Sequence, residues 1–600
     1  MREAVRIRKR EEMKTEDCWA IEDLYANDEE WAADAQRLEK KVEEFSRYKG
    51  RLGENSQVLF QMLEAYSEIN EFFERIYIYA NQKLHEDTGS SKYQQLSGEA
   101  QVLMTGLNSQ TAYVVPEILE IPEEVLNRFL EEDDRLSVYK MFLHTIIRRK
   151  EHTLSVRQEE FLAHVEELAK GPGNIFGMFN NADITFPSIH DEQGNQVPLT
   201  QGRYVTYLES NNRRVRKEAF TSLYQSYGQF KNTLAATFDA NVRQAAFFTK
   251  ERNYGSSLEA ALDKSNIPVA VYDNLIKTVH EKLPSMYRYM DIRKKALGVD
   301  ELHMYDVYVP LVSDIKMEIP FERAKEIVLE GLAPLGEEYR ERLKEGFSSR
   351  WIDVYENEGK RTGAYSWGAY GTHPYVLLNY QNTLNHVFTL AHEMGHALHS
   401  YYSDEHQPYL YAGYKIFVAE VASTCNEALL IHHLMKVSKN QKERAYLMNY
   451  FLNQFKGTLY RQTMFAEFEK ISHDVVEKGG TLHAELLNET YFNLNKTYFG
   501  EGTVIDPEIA LEWGRIPHFY TPFYVYQYAT GFSAAIAISR KIINGEEGIV
   551  EKYKTFLSGG SSMDCIDLLK ICGVDMTQPK PIQEALEVFD EYLTEFEHII

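Results

Sequence analysis

Cysteine is scarce in this chain. Only Cys18, Cys425, Cys565 and Cys572 occur among 600 residues, and no two of them form a C-x-x-C pair. That excludes a disulfide framework and makes reduced thiols in a cytoplasm the expectation. Long apolar runs are missing as well. No stretch approaches the roughly 18 residues that a membrane-spanning helix needs. The most apolar segment near the C-terminus, "GFSAAIAIS" (531–539), reads as a buried helix. The opening "MREAVRIRKREEMKTEDCWAIEDLY" is charged and has no apolar core, so no secretory leader is expected. Positive charge is in deficit: 65 Lys and Arg stand against 90 Asp and Glu, a formal charge of −25. A surface this acidic repels phosphate backbones and anionic membranes, so neither nucleic acid nor membrane is expected as a partner. The basic runs "RRVRK" (213–217) and "IRRK" (147–150) are short and read as solvated helix faces.

Proline is sparse too, at 17 residues, and most of the chain has helical texture. "SSKYQQLSGEAQVLMTGLNSQTAYV" (90–114) and "IQEALEVFDEYLTEFEHI" (582–599) carry apolar residues at three- and four-residue steps. No repeat of 20–50 residues and no Gly/Ser or Pro linker is visible, which excludes a repeat solenoid. At 600 residues the chain exceeds one ordinary core, so a large, mainly α protein of two lobes is expected. Two places break the helical texture. In 182–200, "DITF" and "VPLT" flank the turn-rich "DEQGNQ" and predict a β-hairpin. A boundary near residue 200 then divides an N-terminal helical lobe (1–200) from a larger domain (201–600). In 350–380, "WIDVY" and "YVLLNY" predict strands, and the Gly-rich stretch between them predicts turns and loop.

Directly after that small sheet stands "NHVFTLAHEMGHALHSYYS" (385–403), which contains H-E-x-x-H. Its apolar positions have helical spacing, so His392 and His396, four apart, project to one side and reach one metal. Glu393 is displaced round the helix, where it can hold a water without ligating the metal. Gly395 permits close approach of a neighbouring backbone. By chance alone, roughly 0.06 such motifs are expected in this composition. A catalytic zinc takes three protein ligands and leaves one place open. Glu420 lies inside the apolar run "IFVAEVA" of a second helical stretch (414–437), where an unpaired carboxylate is costly. Beside the motif it is the candidate third ligand; standing alone it would read as solvated or salt-bridged. Glu427, two turns further on, is placed to accept a hydrogen bond from a ligand imidazole. His386, His399, His432 and His433 are read as non-ligands, His399 as a capped or solvent-facing residue.

"TLAHEMGHALHS" followed by "FVAEVASTCNEALL" resembles the M3 metallopeptidases, relatives of thimet oligopeptidase. "GAYSWGAYGTHPYVLLNY" and "IPHFYTPFYVYQYATGFSAA" (516–535) are most similar to their oligoendopeptidase F branch, as is "NIFGMFNNADITFP" (174–187) more weakly. The resemblance implies an almost wholly helical, zincin-like fold with a deep substrate channel. It implies one zinc ion held by His392, His396 and Glu420, with Glu393 as general base. It also implies a His-and-Tyr segment that contacts the substrate carbonyl. That segment begins here at His518 and continues through Tyr520, Tyr524, Tyr526 and Tyr528, with a spacing that departs from the thimet branch. Tyr524 and Tyr528 are favoured, because a helix would place them on one face; a tyrosine-rich core helix is the alternative. The substrates implied are short peptides cut at internal bonds. A peptide added as a strand beside "PYVLLNY" would be held by main-chain bonds. Gly368, Tyr370, Gly371 and His373 of the Gly-rich segment would then lie against it, unless its glycines are ordinary turn residues. Two other readings stay open. A carboxypeptidase would need a cation for the terminal carboxylate, for which Arg461 and Arg515 are available. A non-catalytic peptide binder would carry a closed structural zinc site.

Overall fold

The computed structural model describes residues 6–312 and 317–600. Helices dominate it, and the strands are two residues each: β1 (Ile189–His190), β2 (Gln196–Val197), β3 (Leu302–His303), β4 (Ile352–Asp353), β5 (Tyr365–Ser366), β6 (Val376–Leu377) and β7 (Thr503–Val504). The chain forms two compact units. One takes Met1–Val156, Lys316–Leu430 and Ser539–Cys572; the other takes Arg157–Ile315, Ile431–Ile538 and Gly573–Ile600. The boundary expected near residue 200 falls inside the second unit.

In the first unit, asparagine caps start two long helices. Asn27 accepts from Glu30 N ahead of Asp28–Phe45, and Asn55 accepts from Val58 N ahead of Ser56–Glu86. The two helices are tied where Trp31 Nε1 donates to Ile76 O at 2.8 Å. The N-terminal segment then reaches the small sheet. Arg10 pairs with Glu86 at 3.0 Å and with Asp353 at 2.5 Å, and Lys360 pairs with Asp353 at 2.6 Å. Asp353 is buried on β4, where one unpaired carboxylate would be expensive and two cations offset the cost.

That sheet has the order β4-β6-β5, with β4 parallel and β5 antiparallel to β6. The strands expected in "WIDVY" and "YVLLNY" are present. The Gly-rich stretch, expected to be loop, also contributes β5. The reason lies in β6: Val376 and Leu377 are both buried, and a buried strand needs its backbone groups paired on both sides. Thus β6 is the centre of the sheet, so a peptide cannot add directly beside "PYVLLNY" as expected, and β5 is an edge, packed against the helix that carries H-E-x-x-H.

In the second unit, β1 and β2 form an antiparallel hairpin with Ile189 opposite Val197. It is shorter than expected, since Phe179–Asp183 is a turn of π-helix and "DITF" takes no part in the pairing. β3 and β7 pair in parallel. The run "RRVRK" is not a fully solvated face. Arg216 is buried and bonds Asp306 at 2.7 Å, and Arg213 joins the same carboxylate at 2.8 Å. Asp306, far away in sequence, supplies the reason: a buried acid recruits both arginines.

Candidate metal centre and its surroundings

The helix Leu384–His406 begins at Thr383, whose hydroxyl accepts from His386 N. Leu384, Val387, Leu390, Ala391, Met394 and Leu398 are buried and fix its rotation. The opposite side carries His392 and His396, with ring centroids 4.9 Å apart. A second helix, Ile416–Val437, brings Glu420 and Glu427 to them. Close approach is possible because residue 395 is glycine. A Cβ there would stand 2.6 Å from Ser423 Cα and 3.0 Å from Ala422 O, well inside contact distance and against backbone that cannot yield cheaply. Asn426 locks the pair of helices: Nδ2 donates to Ala391 O at 3.0 Å and Oδ1 accepts from Tyr339 Oη at 3.0 Å.

Glu420 Oε2 lies 3.5 Å from His392 Nε2 and 3.6 Å from His396 Nε2. One ligand atom from each of the three lies within 4.8 Å of the others, the one such group among the described residues. These separations fit atoms placed about 2.0–2.2 Å from a shared tetrahedral centre, as zinc requires. His392 Nδ1 meets Glu427 Oε1 at 2.5 Å, so the proton on Nδ1 faces the carboxylate and Nε2 points towards Glu420. Burial opposes the charged imidazole of His392, but the hydrogen bond and charge of Glu427 outweigh it and hold the pKa at about 9. Burial pushes His396 down to about 3, which keeps its nitrogens free of charge. Ser423 Oγ donates to Glu420 Oε2 at 3.2 Å.

Glu393 is buried beside this group. Burial pushes its carboxyl up to about 7; His392 opposes, Glu420 and Glu427 add to the rise, and the Ser366 amide on β5 opposes. His386 Nδ1 turns back to the Thr383 hydroxyl at 2.7 Å. His399 is neither capped nor solvent-facing, contrary to expectation. It is buried and stacks on Tyr414 with centroids 3.7 Å apart, because one turn past His396 it falls on the face covered by Tyr414 and Phe556.

The Gly-rich segment divides. Gly368 and Tyr370 line a cavity of about 230 Å³ together with Glu74, Asp404 and Tyr414. Gly371 takes φ +73°, which favours glycine. Tyr370 Oη donates to Gln407 O at 2.8 Å, and His373 stacks on Trp351 while Nε2 meets Asp23 at 3.1 Å. His373 is thus occupied by neighbours of its own.

His518, Tyr524 and Tyr528 lie in the second unit and form one cluster. The His518 ring is 6.1 Å from Tyr524 and 5.9 Å from Tyr528, and the two tyrosines are 5.5 Å apart and nearly perpendicular. The helix starts at Tyr526, so Tyr524 precedes it and meets Tyr528 through a turn instead of along a helix face. Partial burial lowers the pKa of His518 and favours the neutral ring. The two arginines considered for a terminal carboxylate are already engaged. Arg461 and Arg515 meet the buried Glu512 at 2.7 and 3.3 Å. Cys425 is buried and is no member of the ligand group.

Comparison with known proteins decides the family. Residues 206–588 match peptidase family M3, and residues 117–186 match the description Oligopeptidase F. The chain belongs to peptidase family M3. It is 49% identical to oligopeptidase PepF of Bacillus subtilis over 98% of this chain and 88% of that one. Group B oligopeptidase PepB of Streptococcus agalactiae is 40% identical over 97% of each. Among solved structures, oligoendopeptidase-F from Enterococcus faecium is 37% identical, with TM-score 0.75 over 95% of this chain and 99% of that one. This M3 chain is a metalloendopeptidase. Asn426, Tyr414 and Ser423 were not picked out from the sequence. Asn426 carried a signal, a polar residue at a helical step among "STCNEALL", whereas Tyr414 lies outside both motifs and is found only by its stacking.

Proposed function

We propose that the chain is a zinc-dependent oligopeptidase of the cytoplasm that hydrolyses internal bonds of short peptides. The convergence of His392, His396 and Glu420 carries this reading. Two imidazoles and one carboxylate form the donor set of a catalytic zinc with a place left open. When bound, the ion supplies Lewis acidity that polarises a carbonyl and acidifies water. Glu393 then takes a proton from the attacking water and returns it to the leaving amine. Glu427 holds the tautomer and orientation of His392. The substrate lies extended along β5, whose outer edge is unpaired within its sheet, so main-chain bonds align the peptide and leave its side chains loosely specified. Gly368 and Tyr370 are proposed to flank it, and His518, Tyr524 and Tyr528 to donate to the carbonyl oxygen as charge develops there. The four free cysteines suit a reducing compartment. No helix among the described residues is long and apolar enough to cross a membrane.

The test uses a peptide acetylated at its N-terminus and amidated at its C-terminus. Internal fragments, lost on chelation and regained with zinc, are the expected products. Cleavage confined to peptides with a free C-terminus would point to a carboxypeptidase instead, and zinc content without turnover to a binding protein.

A further inference from the structure

We propose that Glu469 is a positioning residue: by accepting the backbone amide of Phe523 it holds residue 523 in a left-handed conformation and so sets where the Tyr524 and Tyr528 rings stand. This rests on the proposed roles of those tyrosines at the reacting carbonyl. Glu469 belongs to the helix Arg461–Glu477 and is fully buried. Its Oε1 accepts from Phe523 N at 2.9 Å. Residue 523 has φ +56°, a region that a side chain as bulky as phenylalanine enters only at a steric cost. Such a conformation persists where the surroundings over-determine it. They do so here, because the Phe523 ring is held between Tyr272, at 5.8 Å, and His473, at 4.5 Å. Tyr524 follows directly. Gln527 N then bonds Tyr524 O at 3.3 Å and Tyr528 N bonds Val525 O at 3.2 Å, closing the turn into Tyr526–Ile543. The backbone angle at 523 therefore aims the chain into that turn and, through it, both phenol rings.

The chemistry of the clamp separates it from ordinary packing. Glu469 Oε2 and both ring nitrogens of His473, one helical turn further on, have no hydrogen-bond partner among the described residues. Burying such groups costs stability, and apolar residues of similar volume would pack there at lower cost. An acceptor for the 523 amide is what a carboxyl provides and leucine does not. Burial pushes the Glu469 carboxyl well above the usual range, with the Phe523 amide opposing, so the neutral acid prevails. Glutamine is then the closest mimic of the acceptor.

The experiment pairs hydrogen exchange at the Phe523 amide with steady-state kinetics on a blocked peptide, using the zinc-loaded full chain. For Glu469→Leu, exchange should quicken and kcat should fall, each roughly tenfold or more, with KM and zinc content nearly unchanged. Glu469→Gln should restore both. In a Tyr524→Phe, Tyr528→Phe background, Glu469→Leu should add no further loss of kcat. Unchanged exchange in Glu469→Leu, or an equal further loss in that background, overturns the proposal. If the tyrosine substitutions alone leave kcat untouched while exchange still quickens, the clamp stands and the tyrosines' role at the carbonyl falls. Should Glu469→Leu fail to fold, the unmodified chain decides: a Phe523 amide protected like the amides of Arg461–Glu477 supports the clamp, and exchange at a loop's rate overturns it.

Discussion

Glu393 and Glu427 are both carboxylates beside the same imidazole, yet their substitution should have different signatures. In the role proposed for it Glu393 moves protons and holds no metal, so Glu393→Gln should keep its zinc and lose about 10²–10⁴-fold or more in kcat/KM. Zinc analysis and peptide turnover on one metal-loaded sample read this directly; full turnover would remove Glu393 from the reaction. Glu427 meets His392 Nδ1 at 2.5 Å and is proposed to act through it. Glu427→Ala should weaken zinc by about 10–100-fold, measured by competition with a chromophoric chelator. Unchanged affinity would make the contact incidental. Spacing alone makes His392 and His396 legible in the sequence, because a helix turns a four-residue interval into proximity. Glu420 is legible only as a charge in an apolar run. The environment of His399 is not legible at all, since its stacking partner Tyr414 comes from a different element.

At the scale of elements, the site depends on how closely two helices approach. Gly395 faces the backbone at Ser423, so Gly395→Ala must push the helices apart or strain one of them. The expected cost is about 1–3 kcal/mol in urea unfolding, together with weaker zinc binding, because Glu420 rides on the displaced helix. A stable variant with unaltered zinc affinity would show that the approach has slack. Both helices could be read from their apolar periodicity. The strand β5 could not, since two residues hold no period and their pairing is dictated by the needs of β6. The strained entry to Tyr526–Ile543 was hidden for a related reason: a positive φ at Phe523 is imposed by contacts distant in sequence.

At the scale of the whole molecule, burial of charge couples stability to pH. Glu512 is buried against the half-buried Arg461 and Arg515 and accepts from Tyr491 at 2.6 Å. Burial alone would raise its pKa, but the two arginines outweigh it and hold the carboxyl at about 2, against 4.5 for an ordinary glutamate. The folded state thus binds the proton more weakly than the unfolded chain. This stabilisation, about 3 kcal/mol, is fully present above pH 4.5 and is lost as pH falls towards 2. Glu512→Gln should therefore lower the urea midpoint at pH 7, with a gap from the parent chain that narrows in acid. A gap constant with pH would contradict the coupling. Composition made the helical class and the acidic surface legible. The pairing of Glu512 with Arg461 was not, because nothing in the sequence ties two residues 51 positions apart to one another.

The most direct test of the account is an anomalous difference map at the zinc absorption edge, from crystals of zinc-loaded protein that cleaves a blocked peptide. The account predicts one strong peak about 2 Å from His392 Nε2, His396 Nε2 and Glu420 Oε2 together. A peak bound elsewhere, or none at these three atoms in protein that still cleaves, would contradict it.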